Sequence, residues 1–290
     1  LFYGFLALSI ILFSNVVRAL RWQILAYPLD RISFKPAFSS IMIGYFGNSV
    51  LPLRMGEFLR AYVIAEKTSL NVPTAFGTIV TERILDFVGL SLLILLTILV
   101  YPADWINQKI IISVVVLSLT AFIIVFYFND IKKLFSLELE KIKFFEKSIA
   151  LKIIEVLARL INGAVAIRST NKVMLIFLYT VFIWIMYCSS TYFALMSTGI
   201  SIKWYEVCVL MISTTLAISI PAAPAYVGTY HATVVYVLTS FFFINQLDAQ
   251  VSAIIIHGVG TIPFIIIGAW YFINSSVRIK EINKKEITNN

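Results

Sequence analysis

Long uninterrupted apolar runs are the feature that most restricts what this chain can fold into. Examples are Val88–Tyr101, Ile110–Phe128 and Met174–Met196. A helix needs roughly 20 apolar residues to cross a bilayer, whereas the strands of a membrane β-barrel alternate polar and apolar side chains. Since only 13% of the residues are charged, well below the share in a typical soluble domain, the sequence predicts an all-α, polytopic integral membrane protein with a helical bundle.

The positive charges predict the orientation of the helices. Positive side chains concentrate on the cytoplasmic side of membrane proteins. The net charge of +8 lies mainly after the first apolar segment, where Arg18 and Arg21 begin a basic stretch, in residues 129–171, and in the C-terminus. These regions are predicted to face the cytoplasm, so the protein is placed in the cytoplasmic membrane and no nucleic-acid partner is expected. The predicted apolar segments are roughly 1–17, 36–53, 74–100, 109–128, 172–197, 204–220, 229–244 and 249–273.

This orientation forces two segments to leave the membrane on the side where they entered. Segment 36–73 begins and ends on the cytoplasmic side and is predicted to turn at Leu51–Gly56. Segment 204–248 begins and ends outside and is predicted to turn at Pro221–Gly228. The second segment is either a re-entrant hairpin or two short full spans, and the charge pattern allows both.

The two halves resemble each other. Residues 32–35 match residues 200–203, and Pro52-x-x-x-Gly56 matches Pro224-x-x-x-Gly228. Together with the opposite orientations, this predicts two inverted repeats, each with a proline- and glycine-broken re-entrant hairpin, which is a plan of many transporters.

Four regions follow from this pattern. The region between the repeats is predicted to be a basic amphipathic helix, which either lies on the cytoplasmic leaflet or packs on the bundle. The regions are 1–128 (first repeat plus a linking span), 129–171 (amphipathic helix), 172–275 (second, inverted repeat) and 276–290 (cytoplasmic basic tail).

The first break carries charged side chains at expected membrane depth. Arg54, Glu57 and Arg60 are spaced three residues apart and share one helical face, with Asn48 just before them. Charges inside a membrane are costly and usually functional, and the planar guanidinium of arginine suits phosphate oxygens. These four residues are therefore predicted to bind substrate. The alternative is that the arginines lie at the interface and extend to water.

A second polar group lies early in the predicted 74–100 helix. Glu82 and Asp86 are one turn apart, and Arg83 lies between them. The carboxylates are predicted either to couple transport to protons or to pair internally, including with Arg54 and Arg60 across a cavity. Arg83 is counted among the predicted substrate-binding residues.

The second break combines Pro221, Pro224 and Gly228 with Tyr230 and His231. A helix that starts after Gly228 presents its amide groups and its positive dipole end to the break, which suits an anion. Tyr230 and His231 are predicted to contact substrate, with a purely structural histidine as the alternative. The histidine of the final span is interpreted as structural.

These elements together resemble the lysylphosphatidylglycerol synthase transmembrane family, also called flippase-like or UPF0104. The matching elements are Leu-Arg-Trp at 20–22, Asn…Leu-Pro…Arg…Gly-Glu…Arg at 48–60, Glu-Arg…Asp at 82–86 and Pro…Pro…Gly…His at 221–231. The resemblance implies movement of a lipid between leaflets, with an anionic or aminoacylated phospholipid or a polyprenyl-phosphate lipid as the partner. Ala225 stands where the family often has glycine, which predicts a more closed second hairpin.

Lipid translocation is therefore the preferred function. The chain lacks a Gly-x-x-x-x-Gly-Lys-Ser/Thr element for nucleotide phosphates, and neither a cofactor nor a metal is expected. The first alternative is an integral-membrane enzyme of the lipid-phosphate glycosyltransferase or phosphatase kind, which would have to use Glu57, Glu82, Asp86 or His231. The second is a non-catalytic partner of a separate lipid-modifying enzyme. Catalysis by this chain itself is not expected.

Overall fold

The computed structural model describes residues 1–51, 55–101, 107–124, 148–219 and 224–275. The sequence predictions for Pro52, Arg54, Pro221, residues 129–147 and the tail 276–290 lie outside the described residues. All regular elements in the described ranges are helices. They are α1 (Phe2–Ala26), α2 (Phe34–Val50), α3 (Gly56–Ala65), α4 (Val72–Val100), α5 (Gln108–Ile124), α6 (Ser148–Ala164), α7 (Val173–Ser197), α8 (Trp204–Ser219), α9 (Thr229–Ser240) and α10 (Gln246–Ile273), with 3-10 turns at Val165–Ser169 and Pro224–Tyr226.

Four of these helices, α1, α4, α7 and α10, are long and apolar enough to cross a membrane. Two of them start at asparagine caps. The Asn71 side chain accepts a hydrogen bond from the amide of Thr74 at 3.0 Å, and Asn245 accepts one from the amide of Asp248 at 2.9 Å. Each cap satisfies an amide that the first helical turn leaves without a partner. The predicted all-α fold with membrane-spanning helices is confirmed.

The predicted end of the first span is wrong. Helix α1 does not stop at residue 17 but continues to Ala26. Arg18 and Arg21 therefore lie inside the helix, with 3% and 0% of their surface exposed, and not in a cytoplasmic loop. Carboxylates on α4 pair with both guanidinium groups and offset the cost of burying their charges. The basic stretch that begins at Arg18 was predicted to face the cytoplasm. Only its residues after Ala26 lie outside α1.

Helix α6 crosses α4 with their backbones in contact. A methyl group at Gly77 would lie 1.9 Å from the carbonyl oxygen of Leu160, and one at Gly163 would lie 2.0 Å from that of Thr74. The Thr81 hydroxyl donates to the carbonyl of Ala164 at 2.7 Å. Such small-residue crossings allow close helix packing in membranes. The C-terminal end of α6 thus packs on the bundle. Packing on the bundle was one of the two predicted alternatives for this region, the other being a position on the cytoplasmic leaflet.

Two pairs of shorter helices flank the long ones, and the members of each pair pack on each other. Helices α2 and α3 have 17 and 10 residues, and α8 and α9 have 16 and 12. At 1.5 Å per residue they are about 15–26 Å long, shorter than the roughly 30 Å of a hydrocarbon core. The turn Pro224–Tyr226 contacts α2, which brings the second broken segment against the first.

Candidate functional site

A network of ion pairs joins α1, α3 and α4. Its members sit on adjacent helical turns of α1 and α4, so that their side chains converge between the helices. Four arginines meet three carboxylates, which leaves one net positive charge among the described members. They are Arg18 and Arg21 of α1, Glu57 and Arg60 of α3, and Glu82, Arg83 and Asp86 of α4.

Glu82 is the centre of the buried part of the network. Its side chain has no exposed surface, and its two oxygens pair with different arginines, Arg21 at 3.3 Å and Arg60 at a short contact. The Arg60 guanidinium lies 3.8 Å from the ring centroid of Trp22, and the Trp22 indole donates to the Thr78 hydroxyl at 2.9 Å. Because these contacts join three helices without access to water, they fix the relative positions of α1, α3 and α4.

Asp86 is the centre of the part that faces a cavity. It accepts hydrogen bonds from Arg21 at 2.7 Å and from Arg18 at 3.1 Å. Arg83 makes longer contacts, 3.4 Å to Asp86 and 3.8 Å to Glu57, and its side chain is 33% exposed. Arg83 is thus the arginine of the network that the protein holds least tightly and exposes most.

The cavity has a volume of about 620 Å³. Its charged wall is formed by Arg18, Glu57, Arg83 and Asp86, and the rest of its lining is largely apolar and aromatic. Both broken segments contribute to it. The described residues that supply the remaining polar and aromatic wall include Asn15, Tyr45, Asn48, Ser49, Phe58, Phe76, Trp184, Tyr187, Thr191, Thr215, Tyr226, Tyr230, His257, Thr261 and Phe264.

Four buried hydrogen-bonding atoms of cavity-lining residues are not used within the described part of the chain. They are the side-chain oxygens of Asn15 and Asn48 and the Nε atoms of Arg18 and Arg83. Buried polar atoms are normally paired, since an unpaired one costs about 1–3 kcal/mol. The residues line the cavity, but these particular atoms are buried and are not exposed on its surface.

The second break contributes a cluster of aromatic and imidazole rings. The His257 Nε2 atom lies 2.9 Å from the carbonyl oxygen of Ala225. The Tyr230 ring stacks on the His257 ring at a centroid distance of 4.9 Å, and the His231 ring meets His257 edge-on at 4.7 Å. Tyr230 and His257 line the cavity, whereas His231 packs beside them. Helix α9 begins immediately after Gly228, as predicted.

The structure divides the predicted site residues into two groups. Asn48, Glu57, Arg83, Asp86 and Tyr230 line the cavity. Those that pack behind or beside its described wall are Arg60, Glu82 and His231. The structural breaks at Gly56, Pro224 and Gly228 occur at the start of α3, in the 3-10 turn and at the start of α9.

Sequence reasoning missed Arg18, Arg21 and Asn15 as members of the site. A usable signal was present, because these three residues recur every third position and so share one helical face. The two arginines were placed at the cytoplasmic surface instead, because cations at the end of an apolar run normally mark a membrane surface. His257, interpreted as structural, forms the hydrogen bond that this role requires and also lines the cavity. Among the described residues, no group of three or more His, Cys, Asp or Glu side chains could hold a metal ion.

Ala225 adopts a left-handed backbone conformation, with φ of 53° and ψ of 13°. Residues other than glycine lose about 1–2 kcal/mol in this region. Ala225→Gly is therefore expected to raise the free energy of unfolding by about 1 kcal/mol, as measured by thermal unfolding in detergent. The matched control is Ala232→Gly in α9, which should lower it by about 1 kcal/mol. A loss of stability in both variants would show that the left-handed turn carries no strain.

Comparison with known proteins gives a consistent result. The family model described as lysylphosphatidylglycerol synthase TM region matches residues 1–268. The UPF0104 membrane protein MJ1078 of Methanocaldococcus jannaschii is 24% identical over 197 residues, which cover 67% of this chain and 79% of that protein. The UPF0104 membrane protein MJ1595 of the same organism is 29% identical over 128 residues, which cover 42% and 38%. No solved structure matches.

Proposed function

Because the chain belongs to the lysylphosphatidylglycerol synthase TM region family, we propose that it moves a phospholipid or another phosphate-containing lipid between the two leaflets of the cell membrane. Candidate lipids are anionic or aminoacylated phospholipids and polyprenyl-phosphate lipids. The family and the four apolar helices make it an integral membrane protein. We propose lipid translocation as the activity of this membrane protein.

The observation that carries this proposal is a cavity with a charged wall inside an apolar helical bundle. A lipid headgroup must lose water to cross the hydrocarbon core, and an unpaired charge there is very costly. The charged wall of the cavity includes the guanidinium group of Arg83, whose side chain is 33% exposed. Its volume of about 620 Å³ lies in the range of ordinary ligand cavities. The headgroup would pass through it while the acyl chains stay in lipid.

Among the described arginines of the network, Arg83 is best suited to meet the phosphate. Arg21 and Arg60 are committed to buried carboxylates, whereas the contacts of Arg83 to Glu57 and Asp86 are longer, at 3.8 and 3.4 Å, and its side chain is 33% exposed. A phosphate can therefore replace Glu57 or Asp86 at Arg83 without breaking the buried pairs. Arginine binds phosphate oxygens through two parallel donors, which suits this exchange.

The two short helix pairs are proposed to be hairpins that enter from opposite membrane faces. Two features support this reading: each helix is too short to span the core alone, and the charge pattern places the two segments in opposite orientations. The contact of the turn Pro224–Tyr226 with α2 brings both breaks to the same cavity. Inverted-repeat transporters place substrate at such meeting points of interrupted helices.

Reconstituted vesicles test the proposal. Fluorescent phosphatidylglycerol in the inner leaflet is expected to become accessible to a quencher faster with the protein than in protein-free vesicles. Arg83→Gln is expected to slow this exchange at least about tenfold, which corresponds to about 1.4 kcal/mol in the barrier. The matched control is Lys109→Gln, an exposed lysine at the start of α5, which should exchange like the unmodified protein.

Two results would count against it. Exchange at the rate of protein-free vesicles, for anionic, aminoacylated and polyprenyl-phosphate probes alike, would reject translocation. A wild-type rate in Arg83→Gln would reject the assignment of the phosphate to Arg83. Mass spectrometry of the extracted lipids, with a sugar donor added to the vesicles, separates the enzyme alternative, since an enzyme would form a new lipid species without transfer.

A further inference from the structure

A second concave site lies where α1 ends and α7 begins. It has a volume of about 310 Å³ and shares no lining residue with the central cavity. Its polar part includes Tyr27, Arg31 and Lys172 beside Gln23 and Tyr179, and its apolar part includes Leu20 and Ile24. We propose that this groove binds an anionic phospholipid of the surrounding bilayer, with the phosphate at the two cations and an acyl chain along α1.

Charge is the first reason for an anion. The Arg31 guanidinium lies 5.3 Å and the Lys172 ammonium 5.9 Å from the centroid of the Tyr27 ring. No carboxylate lines the described groove. The nearby Asp30 carboxylate accepts hydrogen bonds from the amide and the hydroxyl of Ser69 at 2.8 and 2.9 Å. Two cations beside one tyrosine ring, with no carboxylate in the described lining, attract a phosphate because their fields add in the groove.

The order of polar and apolar residues is the reason for a lipid and not a free anion. The cations lie just beyond the last residue of α1 and at the residue before α7, at one end of two helices long and apolar enough to cross a membrane. Leu20 lies about two turns, or roughly 10 Å, farther into α1 than Tyr27. Tyrosine is favoured at the membrane interface. The polar residues of the groove lie at the helix ends and its apolar residues lie farther along α1. This order matches the headgroup and acyl chain of a phospholipid lying against the protein.

The test uses the full-length chain in mixed vesicles of phosphatidylglycerol and phosphatidylcholine, followed by native mass spectrometry of the lipids that remain bound. The double variant Arg31→Gln/Lys172→Gln is expected to retain about tenfold less phosphatidylglycerol relative to phosphatidylcholine. Both side chains are exposed, so the fold should be kept. The control Lys35→Gln/Lys109→Gln removes two exposed charges that do not line the groove and is expected to retain the wild-type ratio.

Three results would overturn the assignment. An unchanged ratio in the groove variant, or an equal fall in the control variant, would show that the groove selects no lipid. Displacement of phosphatidylglycerol by millimolar glycerol 3-phosphate would show that the groove recognises the soluble anion and not the lipid. Persistence of the lipid adduct under that competition supports the proposal.

Discussion

Replacing Glu82 with alanine is expected to lower the free energy of unfolding by about 3–5 kcal/mol, the usual cost of removing one partner of a buried ion pair. The variant leaves Arg21 and Arg60 without their shared carboxylate at positions with no more than 2% side-chain exposure. Neither guanidinium can be relieved by deprotonation, since arginine stays charged in proteins. The expected consequence is separation of α1, α3 and α4, the three helices that hold the charged wall of the cavity.

Thermal unfolding in detergent measures this effect. Glu82→Gln keeps the shape of the side chain and loses its charge, so its stability should fall between those of the wild type and the alanine variant. The control is Glu206→Ala at the first turn of α8. Its carboxylate accepts a hydrogen bond from the exposed amide of Lys203 at 2.6 Å, and the loss of such a cap should cost about 1 kcal/mol. Equal losses for Glu82→Ala and Glu206→Ala would mean that the buried network does not hold the helices together.

Gly56→Ala is expected to have the second large effect. A methyl group at this position would lie 2.0 Å from the carbonyl oxygen of Gly44 and 2.6 Å from the side-chain oxygen of Asn48. The first of these neighbours is backbone and cannot turn away, so α3 must move from α2. Overpacking of this kind typically costs about 1–3 kcal/mol. Because α3 carries Glu57, lipid exchange should also fall.

Gly260→Ala is the matched control for this change. Gly260 lies in α10, and a methyl group there meets no atom within 4 Å. Alanine favours helix over glycine by about 1 kcal/mol, so this variant should keep or raise the melting temperature. A melting temperature for Gly56→Ala at or above that of Gly260→Ala would rule out a close crossing of α2 and α3.

The sequence was sufficient for the fold class and for part of the site. Apolar runs identify membrane helices because the hydrocarbon core demands a minimum length, and polar residues inside those runs stand out. The predicted pairing of Arg60 with the carboxylates of the 74–100 helix is present as the contact with Glu82. Asp86 pairs instead with Arg18, Arg21 and Arg83.

The rest of the site depends on packing that local patterns do not contain. Arg18 and Arg21 look like surface markers until α4 places carboxylates beside them, and nothing in the sequence near α1 shows that α4 is its neighbour. His257 lines the cavity because the turn at Ala225 lies against α10, and the two residues are 32 positions apart in the sequence. The left-handed turn itself was not predictable from Ala225, since alanine rarely adopts that conformation.

The most direct test fills the cavity and leaves the network intact. Gly260 lines the cavity and has open space around it, so Gly260→Trp should place an indole in the path of a headgroup. The control is Gly258→Trp on the same helix, a position that does not line the described cavity. In vesicles with fluorescent phosphatidylglycerol, exchange is expected to fall to the protein-free rate with Gly260→Trp and to stay near the wild-type rate with Gly258→Trp. Wild-type exchange in Gly260→Trp, with the indole confirmed in a folded protein, would show that lipid headgroups do not pass through this cavity.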